Sequence, residues 1–160
     1  MNAGIRERSI GDMIRRVLVL DADGAVREIA APECGFGYRA SAIRRDGLVV
    51  LRVTLDLDGP PYDRVAVLER KRATQPLTLP SAGCVFKNPA GRSAGELIDR
   101  CGLKGLTVGH AQVSQKHANF IVNLGGATSA EICKLIDIVR QKVYNTFHVG
   151  LDLEIEVVDG

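Results

Sequence analysis

The sequence predicts an α+β fold in two parts, and three observations carry that expectation. Segments that alternate apolar and polar residues run from Leu51 to Leu57 and from Leu151 to Val157. Two capping-box signatures open helices in its second half. A Gly59-Pro60-Pro61 break interrupts the pattern between them. At 160 residues the chain is long enough to bury a core. Its 46% hydrophobic and 25% charged content argues against disorder.

The opening residues carry an apolar pattern at Ile10, Met13 and Ile14, which predicts a turn or two of helix. VLVLD and AVREIA then flank Asp21 to Gly24, whose Asp-Gly step tolerates positive φ, so a hairpin is expected. From Gly47 to Gly59 the chain is β-rich, with Leu51, Val53, Leu55 and Leu57 alternating. Two consecutive prolines cannot continue a strand, which sets a boundary between residues 1–58 and 59–160.

Helical character returns from about Tyr62 to Arg72. LPSAGCVFKNPAG follows and reads as an ordered loop, because four Gly or Pro residues enclose small, polar and aromatic side chains. Ser93 with Glu96 forms a capping-box pattern ahead of Leu97, Ile98 and Cys101, and Gly102 ends the helix. LTVGHAQV and NFIVN are strand candidates. Thr128 with Glu131 repeats the capping pattern before Ile132, Leu135, Ile136, Val139, Val143 and Phe147, the stripe of one long helix. The last segment alternates as a strand should, with Leu151, Leu153, Ile155 and Val157 on one face and Asp152, Glu154 and Glu156 on the other.

Composition narrows function by exclusion. The formal charge is only +2 and aromatics are 4% with no Trp, so neither a nucleic-acid surface nor a base-stacking platform is indicated. Cys34, Cys84, Cys101 and Cys133 form no CxxC pair, and no metal-ligand spacing connects His110, His117 and His148; no metal site is expected. No apolar run approaches the roughly 18 residues of a membrane span, and the N-terminus lacks a signal-peptide pattern. These features read as a soluble protein of a reducing cytoplasm.

Chemistry concentrates in Ser81-Ala82-Gly83-Cys84-Val85-Phe86-Lys87-Asn88-Pro89, where a glycine lets backbone approach a ligand beside a thiol, an ammonium and an amide. The same residues also fit a well-packed loop around an inert cysteine. Arg39, in GYRAS between Tyr38 and Ser41, is either a site cation or a solvated one. His117 is either a ligand contact or a satisfied surface histidine. The carboxylates of the last strand face water unless one is buried, where it would titrate high and serve as an acid.

These clusters stand in an order that resembles the UDP-N-acetylenolpyruvoylglucosamine reductase (MurB) family. MNAG, GYRAS, RATQPLTLPSAGCVFKNPAG, SAGELIDRCGLKG, KHANFIVN and LEIEV run from the first residue almost to the last. The resemblance implies the remnant of a flavin-binding lobe, its front missing because Met1 falls inside it, followed by a MurB-type UDP-sugar-binding domain. It implies FAD-mediated, NADPH-dependent reduction of the enolpyruvyl ether of UDP-N-acetylglucosamine in peptidoglycan precursor synthesis, by an enzyme that is monomeric when complete. By motif, Arg39, Cys84 and Glu156 are the catalytic residues. Asn2, Ala3 and Gly4 line the flavin, and Tyr38, Ser41, Lys87, Asn88 and His117 contact substrate. Cys84 stands where many members have serine as proton donor, and a thiol of pKa about 8.5 is the stronger acid. Alternation alone does not separate Glu156 from Glu154. The expected function is this reductase in truncated form; the competing expectation is a catalytically inactive UDP-sugar-binding fragment without a competent flavin site.

Overall fold

The structure is a computed structural model that describes residues 2–4, 8–58 and 63–158. Met1 and the Gly59 to Pro61 break lie outside the described residues. The chain divides into two compact units, Met1–Tyr62 and Asp63–Gly160.

The first unit opens with one 3-10 turn, Ile10–Met13, rather than a longer helix, because Ile14 already belongs to a strand. β1 (Ile14–Leu20) and β2 (Val26–Ala30) form the expected hairpin. Its turn is held by Asp21, whose Oδ1 accepts from the N–H groups of Asp23 at 3.1 Å and Ala25 at 2.9 Å. A second 3-10 turn spans Ala31–Cys34, and the short helix α1 spans Ala42–Arg45. β3 (Val49–Leu55) pairs antiparallel with β1, giving the order β2-β1-β3. Val17, Val19, Ile29 and Cys34 form the small core, with Phe36, Ile43 and Leu48 against it. Burial pushes the Cys34 thiol pKa up, with the nearby Glu33 charge adding to it. The alternation through Leu51, Val53, Leu55 and Leu57 produces no buried face, since every residue of β3, and Leu57 beyond it, is exposed.

The second unit begins with α2 (Arg64–Thr74), capped by Asp63, which accepts from the N–H groups of Val65 and Ala66. β4 (Ser81–Cys84), α3 (Ala94–Arg100), β5 (Thr107–Val108), β6 (Ala111–Val113), β7 (Phe120–Asn123) and α4 (Ser129–Phe147) follow. The strands make one antiparallel sheet in the order β4-β7-β6-β5. α4 starts at a reciprocal box: Thr128 Oγ1 accepts from Glu131 N–H at 3.2 Å, and the Glu131 carboxylate accepts from Thr128 N–H at 2.8 Å. Its Leu135, Ile136, Val139 and Val143 are buried against Phe86, Leu97, Ile98, Val113 and Leu151, with Ile132 and Phe147 at the margin. Burying these side chains supplies most of the unit's stability, about 1.5–3 kcal/mol each before the cost of ordering them.

Two expectations need correction. The segment read as a loop contains β4, because residues 81–84 find a ladder partner in β7. The final segment is not a continuous strand. It makes one bridge, Phe86 to Leu153, flanked by Lys87 N–H to Asp152 O and Glu154 N–H to Val85 O, both 2.8 Å, and then bends. Its partner offers regular backbone only between Gly83, at φ +87°, and Pro89, which cannot donate. Leu151, Leu153 and Ile155 still pack on the core, whereas Val157 is exposed.

Candidate active site

Cys84 ends β4 and is half-buried. Ser81 pairs with Val122 and Cys84 with Phe120, so three steps on β4 oppose two on β7, a bulge centred near Gly83. The left-handed φ of Gly83 makes that bulge and sets the direction of the Cys84 side chain. The chain continues past Cys84 as the extended segment 85–87, flanked by Asn119 on one side and by residues 152–154 on the other. Lys87 thus stands on the same backbone run as Cys84, and Glu154 is bonded one residue from that thiol. Glu156, exposed, follows two residues later.

Asn88 has a structural task that the sequence did not disclose: its Oδ1 accepts from Ala94 N–H at 3.0 Å and ties the loop to the start of α3. Ser93 Oγ accepts from Glu96 N–H at 3.3 Å there. His117 lies half-buried between β6 and β7. Ser114 Oγ accepts from its N–H at 3.3 Å, its Nδ1 accepts from Asn119 N–H at 3.2 Å, and its ring sits 4.9 Å from that of Phe120. Gly95 packs closely beside it: a Cβ there would lie 3.0 Å from His117 Cε1. Burial, then the positive charge of Lys104, lowers the His117 pKa, so the ring is neutral near pH 7.

An open cavity of about 540 Å³ lies in the same unit, lined by Arg72, Gln75, Leu77, Gln112, Ser114 and Lys116. The Lys116 ammonium donates to the Arg72 carbonyl at its rim. Sequence reasoning missed Gln75 and Lys116, although both fall inside quoted motifs. It also missed Asn119, the buried polar residue of KHANFIVN.

The other expected residues lie in the first unit. Tyr38 and Arg39 occupy a two-residue turn closed by Gly37 N–H to Ala40 O at 3.1 Å and Ala40 N–H to Gly37 O at 3.2 Å. Arg39 has φ +55°, a region that a non-glycine residue rarely adopts and that recurs at functional sites. Its guanidinium lies 5.2 Å from the Tyr38 ring centroid. Ser41 is buried, and its Oγ accepts from Arg44 N–H at 3.3 Å, capping α1. Asn2 Oδ1 accepts from Gly11 N–H at 2.8 Å, Ala3 O accepts from Ile10 N–H at 2.8 Å, and Gly4 bridges Ser9. Among the described residues no group of His, Cys, Asp and Glu could hold a metal ion, and no helix is long and apolar enough to cross a membrane.

A four-stranded antiparallel sheet packed with helices, with a thiol at a bulge and a lysine three residues on, defines an α+β domain. Residues 75–158 match the C-terminal domain of UDP-N-acetylenolpyruvoylglucosamine reductase. The chain belongs to the UDP-N-acetylenolpyruvoylglucosamine reductase (MurB) family. It is 48% identical to the enzyme of that name from Moorella thermoacetica, over 98% of this chain and 53% of the relative. To the one from Alkaliphilus oremlandii it is 42% identical, over 99% of this chain and 54% of the relative. The crystal structure of MurB from Thermus caldophilus superimposes with a TM-score of 0.83 at 44% identity, covering 98% of this chain and 57% of that one. The chain therefore spans about half the length of the curated relatives it matches. The α+β expectation and the family resemblance are both borne out.

Proposed function

We propose that this chain supplies the substrate-binding and acid–base machinery of a UDP-N-acetylenolpyruvoylglucosamine reductase, an oxidoreductase of peptidoglycan precursor synthesis acting as a cytoplasmic monomer. Family membership across nearly the whole chain supports the reading, and the single observation that carries it is the bulged strand end presenting Cys84. FAD, when bound, supplies hydride transfer to the substrate's alkene at the expense of NADPH. The residues here fit such a group in one respect: Ala3 and Gly4 are small and exposed, and the backbone behind them is held by residues 10 and 11. The first unit is accordingly read as part of a flavin-binding lobe. Its remaining contacts come from a segment equivalent to the rest of the relatives' length.

The chemistry assigned to this chain's own residues follows from charge. Reduction of the methylene carbon leaves negative charge on the neighbouring carbon and its carboxylate. Arg39, permanently cationic and forked, stabilises that charge, and Glu156 is assigned to the same task by its motif position. Cys84 donates the proton that completes the lactyl ether, and its thiolate regains one from solvent. Lys87 and Asn88 bind the UDP-sugar, Tyr38 and Ser41 frame Arg39, and neutral His117 offers a hydrogen bond rather than a charge.

The alternative reading is a catalytically inactive UDP-sugar-binding fragment. The chain is purified with FAD present, inspected for bound flavin, and assayed for UDP-sugar-dependent NADPH oxidation, alone and joined to a flavin lobe from a relative. Turnover in the joined protein supports the reductase. UDP-sugar binding without turnover in either form rejects it in favour of the fragment.

A further inference from the structure

We infer that Asn119 is a positioning residue of this reaction, its buried side-chain amide setting where Cys84, Lys87 and the 152–156 segment stand. The inference rests on the reading of Cys84 as proton donor. Asn119 is 3% exposed, so its amide is removed from water and must be satisfied within the protein. Both of its polar atoms are committed to one residue: Oδ1 accepts from Phe86 N–H at 2.9 Å and Nδ2 donates to Phe86 O at 2.8 Å. The side chain therefore imitates a strand residue, continuing the sheet where the bulge at Gly83 has shifted the β4–β7 register. Its backbone joins in, since Asn119 O accepts from Val85 N–H at 2.8 Å.

On the far side, the same short run is bonded to the chain terminus through Lys87 N–H to Asp152 O and Glu154 N–H to Val85 O. Asn119 thus fixes segment 85–87 from within, and that segment runs from the residue after Cys84 to Lys87. It is also the template against which the carboxylate-bearing tail is aligned. A further bond reaches His117: Asn119 N–H donates to Nδ1, so the neutral ring keeps its proton on Nε2.

Asn119→Leu keeps the branched shape, with bulkier methyl ends, and removes both bonds. Asn119→Asp keeps acceptance from Phe86 N–H but, while ionised, cannot donate to Phe86 O. Protonated, it can do both. Burial raises that carboxyl's pKa, so the protonated form is within reach at mildly acidic pH. Three readouts apply to the chain as expressed or joined to a flavin lobe: amide exchange at Phe86, the rate of Cys84 modification by a dithiodipyridine relative to Cys133, and kcat against KM. Asn119→Leu is expected to accelerate both Phe86 exchange and Cys84 modification about tenfold, and to lower kcat about tenfold with KM nearly unchanged. Asn119→Asp is expected to behave likewise at about pH 8 and to return to the wild-type modification ratio at about pH 5. Unchanged exchange and unchanged modification in Asn119→Leu overturn the inference, as does an Asn119→Asp protein with no acid rescue. Full turnover of Cys84→Ala in the joined enzyme instead overturns the proton-donor reading beneath it.

Discussion

Replacing Gly83 by alanine adds one methyl group at a point where no atom lies within 4 Å of it, so packing contributes nothing to the outcome. The backbone decides. Gly83 has φ +87°, and an L-residue held in the left-handed region costs about 1–2 kcal/mol. Gly150→Ala is the matched control, since the added methyl again meets nothing within 4 Å but φ there is not positive. Both changes restrict the unfolded chain, worth about 0.4–1 kcal/mol in favour of folding. Gly150→Ala should therefore stabilise by that amount, and Gly83→Ala should fall below it by about 1–2 kcal/mol. With a urea m-value of about 1–2 kcal/mol/M, the two unfolding midpoints should separate by about 1 M. Any relaxation of φ at residue 83 also undoes the bulge and turns Cys84, so Gly83→Ala should lose turnover that Gly150→Ala keeps. Midpoints that move together would refute the claim that backbone conformation, rather than space, holds glycine at position 83.

Three further outcomes are expected. On the proposed function, in the protein joined to a flavin lobe, Cys84→Ala should lower turnover by about 10²–10⁴ while Cys84→Ser, which keeps a proton to give, retains much of it and gains resistance to alkylation; turnover of the joined protein should fall as pH rises through the thiol's ionisation, measured by NADPH oxidation. His117 has a lowered pKa in the folded state, so the folded protein binds fewer protons than the unfolded one below the unfolded value near 6.5. Its contribution to stability is full above that pH and declines as pH falls toward the folded pKa, and urea midpoints of the wild type should show a slope there that His117→Gln flattens. Leu135→Ala, emptying a fully buried site on α4, should cost about 2–5 kcal/mol, a drop of at least about 10 °C in Tm by calorimetry.

Local chemistry made part of this molecule legible in advance. The box at Thr128 and Glu131 involves residues three apart, and the stripe from Ile132 to Phe147 repeats within one helix, so both could be read without knowing what they pack against. The Asp21 to Gly24 turn was equally self-contained. Long-range bonds were not legible. β4 sits inside a Gly- and Pro-rich stretch and becomes a strand only because Val122 and Phe120 complete its ladder. Asn119 looked like an ordinary polar residue opening a strand, and its value lies in a distant backbone. Ser41 and Asn88 were read for ligand work, yet each spends an oxygen on a backbone N–H at or near a helix start, a use visible only once those helices exist. Motif order put Arg39, Cys84 and Glu156 forward as site residues, while nothing in composition foretold the left-handed backbone of Arg39.

β3 closes one side of its three-stranded sheet and keeps Val49, Val50, Leu51, Val53 and Leu55 open to water. VVLRVTL is rich in β-branched side chains and contains no proline, the composition from which cross-β stacking grows. Its one charge, Arg52, acts as a gatekeeper against a second strand docking in register. Handling this polypeptide at high concentration will thus be a contest between that lone guanidinium and the pull toward fibrils, and low salt, which leaves like charges unscreened, is the condition that favours the guanidinium.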